Sequence, residues 1–179
     1  MIIFECHVSG VEMCSDAFKH EPLEIEGVDA GNVFTVMSKT IVEGADDVDV
    51  GCGNAFGGGD DDLDDGAEKV NNMVSNFGYS PSSALSDKKA FKQLFAAYVK
   101  KVQAALKPKK NGGEEALKKF QNEAKAVFKW LLKNHKDLEL YMNSSGECEG
   151  HFGIGWWGPD CETNPRFIYW KTALRETKV

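Results

Sequence analysis

Two groups of charged side chains in this sequence are concentrated enough to bind a ligand or a partner. The first is a set of aspartates in a glycine-rich segment. Hard cations such as calcium need several oxygen ligands close together. The register does not match an EF-hand, because the position that requires glycine holds Asp65 and the position that requires glutamate holds Asn71. The cluster predicts either weak calcium binding of another type or a solvated acidic loop. Its members are Asp60, Asp61, Asp62, Asp64 and Asp65.

The second group is a run of lysines around a predicted turn between two helices. Residues 87–136 carry 14 lysines against four acids. Ion pairs within the helices cannot neutralise this excess, so we expect a basic surface that meets acidic surfaces of a partner. The alternative is an ordinary solvated face. The predicted members are Lys100, Lys101, Lys107, Lys109, Lys110, Lys118 and Lys119.

The remaining motifs favour a binding protein over an enzyme, with no tightly bound cofactor. The pI is about 5.1 and residues 87–136 contain no arginine, so an acidic protein is a better partner for the lysines than nucleic acid. The four histidines occur singly, and neither H-E-x-x-H nor a nucleophile elbow is present. Cys148 and His151 lie three residues apart and could be drawn as a nucleophile and a base, which we regard as the weaker interpretation.

The cysteines and the apolar runs predict the compartment. The five cysteines are odd in number and form no C-x-x-C pair, which is typical of a reducing environment. No run of apolar residues reaches the roughly 18 that a membrane span needs, and the first residues lack the pattern of a secretory signal. We therefore predict a cytoplasmic protein with no membrane partner.

The elements that position these groups are predicted from periodicity and turn residues. Residues 1–8, 23–28 and 32–42 are predicted strands, with a hairpin turn at residues 27–31. Residues 43–68 are rich in glycine and aspartate and predict a flexible acidic loop. Residues 71–80 are read as a further strand.

A basic helical hairpin is predicted for residues 86–135. The first helix runs from Ser86, its predicted N-cap, to Lys107, and the second runs from Gly113 to His135. The short break between them makes the helices antiparallel neighbours. Three more strands follow, at 138–142, 151–157 and 166–171. The predicted class is α+β: a single domain, residues 1–179, with a mostly antiparallel sheet body and an inserted helical hairpin.

The chain resembles the translationally controlled tumour protein family over nearly its whole length. The residues that carry the resemblance are the opening MIIFECHVSGVEMCSD, the segment Gly51-Cys52-Gly53-Asn54-Ala55, and the closing LYMNSSGECEGHFGIGWW and RFIYWK. The order of strand hairpin, acidic loop and helical hairpin is also that of the family. The resemblance implies the β-tent fold of a small guanine-nucleotide-exchange chaperone.

The family also implies a function, which we state as an expectation. It implies a cytoplasmic protein of growth control that binds calcium, associates with microtubules and contacts small GTPases or the translation elongation machinery. The GTPase contact maps onto Glu12, and microtubule binding maps onto the basic helical region. Where the family has regulatory serines, residues 43–68 contain none, so phosphorylation there is not predicted.

Two alternatives to a microtubule-binding module stay open. One is a guanine-nucleotide-exchange regulator that acts through Glu12. The other is a thiol reductase, because sulfoxide reductases share a similar β architecture and Cys161 lies in a predicted turn. The zinc-binding C-x-x-C pairs of many reductases are absent from this sequence.

Overall fold

The computed structural model describes residues 1–42, 68–82, 87–107, 113–145 and 152–179. Every strand pairing among these residues is antiparallel, and two long helices form a hairpin, so the predicted α+β class is confirmed. The helices are α1 (Asn72–Phe77), α2 (Lys88–Leu106) and α3 (Gly113–Lys133). The strands are β1 (Ile2–Cys6), β2 (Glu12–Ser15), β3 (His20–Pro22), β4 (Val33–Met37), β5 (Thr40–Val42), β6 (Lys69–Asn71), β7 (Ser80–Pro81), β8 (Leu138–Met142), β9 (Gly153–Trp156), β10 (Arg166–Trp170) and β11 (Leu174–Lys178).

A six-stranded sheet in the order β3-β4-β10-β9-β8-β7 forms the centre of the fold. Successive side chains of a strand point to opposite faces, and β10 follows this rule. Ile168 and Trp170 belong to the core on one face, whereas Phe167 and Tyr169 belong to the core on the other. Strand β10 is therefore a common wall of two hydrophobic cores.

Helices α2 and α3 cover the first face. Phe91, Phe95, Tyr98 and Val102 recur at helical spacing on α2 and are buried. Phe95 stacks on Phe128 of α3 with ring centroids 4.8 Å apart, and Phe120 stacks on Trp170 at 4.6 Å. The predicted apolar stripes thus make the contact between the hairpin and the sheet.

The second face is covered by the three-stranded sheet β11-β1-β2 and by helix α1. The Tyr79 hydroxyl donates a hydrogen bond to the carbonyl oxygen of Met13 at 2.6 Å and lies 3.2 Å from the hydroxyl of Tyr169. Burial raises the pKa of both phenols and raises the pKa of the neighbouring Cys14 thiol to about 12. This core therefore holds neutral polar groups.

The predicted strand at residues 71–80 is wrong. Its middle forms α1, because the Asn71 side chain accepts hydrogen bonds from the backbone amides of Met73 and Val74 and so caps a helix. Gly78 ends that helix with a positive φ of 62°, which glycine adopts without strain. The chain then continues into β7.

The predicted strand at residues 23–28 is also wrong. The strand that pairs with β4 is His20–Pro22, just before it. Residues 23–28 form an irregular segment and a turn, in which the amide of Val28 donates to the carbonyl of Ile25. The apolar alternation still has a structural role, because Ile25 is buried in the core beneath the hairpin.

Smaller corrections concern element ends and missed strands. Asp87, not Ser86, caps α2, since its carboxylate accepts from the amide of Ala90. Helix α3 ends at Lys133, and His135 begins a short 3-10 turn. The predicted strand 32–42 is divided into β4 and β5. Strands β2 and β11 were not predicted; the sequence of β11, LRETK, has mostly charged and polar residues and gives little strand signal. The predicted loop at 43–68 lies outside the described residues apart from Glu68.

Candidate protein-binding surface on the helical hairpin

Helix α3 is fixed to the sheet by a buried carboxylate. Glu123 is only 3% exposed and accepts three hydrogen bonds. The donors are Asn32 Nδ2 at 2.7 Å, Trp170 Nε1 at 3.0 Å and Thr172 Oγ1 at 2.8 Å. A buried carboxylate is tolerated only with such partners. The hairpin is therefore held in one orientation, and one of its four acids is directed inward.

The other acids of the hairpin lie at the helix ends. Asp87 is occupied as the N-cap of α2, and Glu114 and Glu115 lie in the first turn of α3, where carboxylates favour the helix dipole. Lys101 is engaged in an interaction of its own; no other lysine in the described part of the hairpin forms an ion pair with a hairpin carboxylate. Apart from Lys101, the positive charge of the described lysines is therefore not compensated by ion pairs within the helices.

Lys119 lies on a different side of α3 from Lys118, because adjacent residues of a helix are about 100° apart. Its ammonium is 3.0 Å from the Asp29 carboxylate in the β3–β4 connection. The hydrogen bond to Asp29 raises the pKa of Lys119, and the charge of Glu123 acts in the same direction. Lys119 therefore helps to dock the hairpin on the sheet.

The outward face of α3 carries a row of exposed lysines, which we call the α3 lysine stripe: Lys118, Lys125, Lys129 and Lys133. Their spacing of seven, four and four residues places them on one face of the helix. Only Lys118 belonged to the predicted set. The other three follow an i, i+4, i+8 pattern, which is the signal in the sequence that identifies them.

The remaining predicted lysines are distributed over α2 and the turn. Lys100 and Lys107 are exposed, and Lys107 stands at the C-terminal end of α2, where a cation favours the helix dipole. Lys101 is half-buried and engaged in an interaction of its own. Lys109 and Lys110 lie outside the described residues. The set is therefore not a single patch.

An open groove of about 510 Å³, the interhelical groove, runs along the outer side of α2 and α3. Its floor is apolar, and three lysines from both helices stand at its rim. No carboxylate is among the residues that line it. The lining residues are Lys92, Phe95, Ala96, Val99, Lys100, Gln103, Ala124, Lys125 and Phe128.

Glu12, the candidate GTPase contact, lies on the opposite side of the central sheet. It begins the edge strand β2, is exposed, and stands opposite Glu5 of β1. The Arg175 guanidinium donates to Glu5 and, with a hydrogen bond from Thr177, keeps the pKa of that carboxyl below its usual value. Glu12 thus belongs to a surface of mixed charge, unlike the basic hairpin.

The other predicted sites are not assembled in the described part of the chain. Asp60, Asp61, Asp62, Asp64 and Asp65 lie outside it, as do Cys148 and His151, so calcium binding stays a prediction. Among residues that the structure describes, no group of three or more side chains is placed to hold a metal ion, and no helix is long and apolar enough to cross a membrane. Cys161 is half-buried and its thiol lies 3.6 Å from the carbonyl of Trp156.

Comparison with known proteins agrees with this architecture. The family model described as translationally controlled tumour protein matches residues 1–175. The chain is 34% identical over 180 residues to a homologue from Neurospora crassa and 32% identical over 179 residues to one from Candida albicans, with all of both chains covered in each case. It is also similar to the solved structure of the translationally controlled tumour-associated protein of Schizosaccharomyces pombe, with 26% identity, a TM-score of 0.71 and full coverage of both chains.

Proposed function

Because the chain belongs to the translationally controlled tumour protein family, we propose that it is a cytoplasmic, non-enzymatic regulatory protein whose basic hairpin binds acidic protein surfaces. Microtubules are the proposed partner, since tubulin presents acidic tails. The observation that carries the proposal is the exposed α3 lysine stripe together with Lys100 on α2.

The charge distribution also gives the binding an orientation. The whole chain has a net charge of −7, yet residues 87–136 carry 14 lysines and four acids. An acidic partner attracts the hairpin and repels the acidic remainder of the protein, which favours one mode of approach. Such attraction between exposed charges is screened by salt over about 8 Å at physiological ionic strength.

Microtubule co-sedimentation at low salt tests the proposal. We expect the triple variant Lys118→Glu, Lys125→Glu and Lys129→Glu to weaken pelleting by about ten-fold, because three exposed attractions become repulsions. The matched control reverses Lys39, Lys69 and Lys178, which are exposed on the body of the protein and change the net charge equally.

The control variant separates a local surface from a general charge effect. We expect it to pellet within about two-fold of wild type at the same salt. Equal loss in both triple variants would show that only the net charge matters. Unchanged pelleting of the hairpin variant would remove the proposal.

A second candidate function is regulation of a small GTPase through Glu12, and an elongation factor is the related alternative partner. Its support is the exposure of Glu12 at the start of the edge strand β2, whose other residues are buried. A nucleotide-release assay compares wild type with Glu12→Lys and with Glu176→Lys, a control on the same sheet. We expect only Glu12→Lys to reduce the stimulated release. No stimulation by wild type would exclude exchange activity.

A further inference from the structure

We propose that the interhelical groove binds one acidic amphipathic helix of a partner protein. The apolar side chains of that helix would enter the groove, and its carboxylates would meet the lysines at the rim. This inference rests on the proposed function, because it adds a second kind of acidic segment, an amphipathic helix, that the same basic hairpin would bind.

The shape of the groove fits a helix. Lys92, Ala96, Val99 and Gln103 recur every three or four residues on α2, so this wall runs along about three helical turns, roughly 16 Å. Ala124 and Phe128 of α3 form part of the opposite wall. The gap between two antiparallel helices accepts the side-chain ridge of a third.

The floor of the groove selects for apolar side chains. Phe95 and Phe128 stack at 4.8 Å, and Phe128 and Val99 keep part of their surface open to solvent. Ala96 is exposed, so its small side chain leaves space between the walls. Apolar groups of a partner would remove this surface from water, at about 25 cal/mol per Å². A flexible acidic tail without apolar residues would leave the floor unfilled.

The rim selects for carboxylates. Lys92 and Lys100 rise from α2 and Lys125 from α3, and all three are exposed. None of them forms an ion pair with another residue of the described chain. A purely apolar segment would desolvate these ammonium groups without compensation, and a basic segment would be repelled. An acidic amphipathic helix satisfies both the floor and the rim.

The groove on the other side of α3 lacks this combination. It is lined by Lys125, Lys129 and Lys133, but also by Glu26 from the β3–β4 connection. An acidic helix would meet a like charge there. The interhelical groove is therefore the better binding site on the hairpin.

Fluorescence anisotropy with two labelled peptides tests the inference. One peptide, of about 14 residues, carries leucines at i, i+3, i+4 and i+7 among glutamates and alanines. The other has the same composition in an order without an apolar stripe. We expect the folded wild-type protein to bind the amphipathic peptide at least about ten-fold more tightly. Equal affinity for the two peptides would overturn the inference.

The matched variants are Ala96→Arg, which fills the groove while adding positive charge, and Ala104→Arg, at an exposed alanine of α2 outside the groove. We expect Ala96→Arg to weaken binding of the amphipathic peptide by about ten-fold and Ala104→Arg to change it by less than about two-fold. Wild-type binding by a folded Ala96→Arg variant would overturn the inference. Circular dichroism establishes whether each variant is folded.

If Ala96→Arg does not fold, the double variant Lys92→Glu, Lys100→Glu decides instead. We expect the affinity for the amphipathic peptide to fall about ten-fold at low salt. Unchanged affinity would overturn the proposal that the groove is the binding site. Sedimentation velocity of the free protein tests whether a second copy of the chain occupies the groove. If the wild type is a dimer and Ala96→Arg makes it a monomer, the groove is a dimer interface and the proposal is overturned.

The two proposals fail separately. Loss of microtubule pelleting in the α3 triple variant, with no preference for the amphipathic peptide, removes the groove and keeps the proposed function. Selective binding of the amphipathic peptide, with unchanged pelleting of the α3 triple variant, excludes microtubules as the partner and supports the groove as a helix-binding site.

Discussion

The two faces of the central sheet are closed in different ways. On the hairpin face, the Glu123 carboxylate accepts three hydrogen bonds and ties α3 to strand β10 and its neighbours. On the other face, the network consists of the Tyr79 and Tyr169 hydroxyls and the carbonyl of Met13. One core thus contains a carboxylate with three specific donors, and the other contains neutral polar groups.

The protein surfaces above the two cores also differ in charge. Lysines are frequent on the hairpin surface, and the charge of the buried Glu123 adds to the Asp29 hydrogen bond in raising the pKa of Lys119, so it favours the charged form of that lysine. The opposite surface is mixed in charge, with Glu5, Glu12 and Glu176 next to Arg175 and Lys178. The buried carboxylate therefore anchors the helix that carries the basic surface.

The largest expected effect comes from breaking the Glu123 network. Glu123→Ala leaves three buried donors without an acceptor, and we expect it to lower the free energy of unfolding by about 3–5 kcal/mol in urea titrations. Glu123→Gln, which retains an acceptor oxygen, should cost less. Gln121→Ala, at an exposed side chain of the same helix, is the control and should change stability by less than about 0.5 kcal/mol. If Glu123→Ala lowers the free energy of unfolding by less than about 1 kcal/mol, the proposed difference between the two cores is contradicted.

A smaller effect is expected on the other face. Tyr79→Phe removes the donor to the Met13 carbonyl inside a neutral network, and we expect a loss of about 1–2 kcal/mol by the same measurement. Tyr141→Phe is the control, because the Tyr141 hydroxyl donates to Glu139, a residue with an exposed side chain. A cost for Tyr79→Phe as large as that of Glu123→Ala would erase the distinction between the two cores.

The smallest effect concerns the surface pair of Glu5 and Arg175. The pKa of Glu5 is lower in the folded protein than its ordinary value of 4.5, because Arg175 donates to it. Its stabilising contribution is complete above the unfolded pKa and is lost as the pH falls through the folded pKa. We expect Arg175→Met to cost below about 1 kcal/mol at neutral pH. In urea titrations near pH 3, the free energies of unfolding of variant and wild type should differ by less than at neutral pH. An equally large difference at pH 3 would contradict a stabilising ion pair between Glu5 and Arg175.

The sequence was sufficient for the hairpin and most of the central strands. The stripes that include Phe91, Phe95 and Phe120 have a helical period, and that period corresponds to burial against the sheet. Helix α1 was missed because its six residues are too few to distinguish helical from extended spacing, although Asn71 and Gly78 are recognisable capping residues.

The role of Glu123 could not be derived from spacing alone. It lies between Phe120 and Val127 on the buried side of α3, which is a signal, but its donors Asn32, Trp170 and Thr172 come from distant parts of the chain. Lys119 was grouped with the turn lysines for the same reason, since Asp29 lies far away in sequence. The interhelical groove likewise depends on how two helices pack, which a one-dimensional pattern does not specify.

The pairing of β4 with β10 has a consequence for how the protein is made. These strands join residues 33–37 to residues 166–170, so the wall shared by both cores is completed only when most of the chain has left the ribosome. Contacts of such long sequence separation slow folding. The hairpin helices can form earlier from local interactions. Their apolar faces then stay exposed until Ile168 and Trp170 have been synthesised and can pack against them. While these faces are exposed, electrostatic repulsion between the lysines of different chains opposes aggregation of the unfinished proteins.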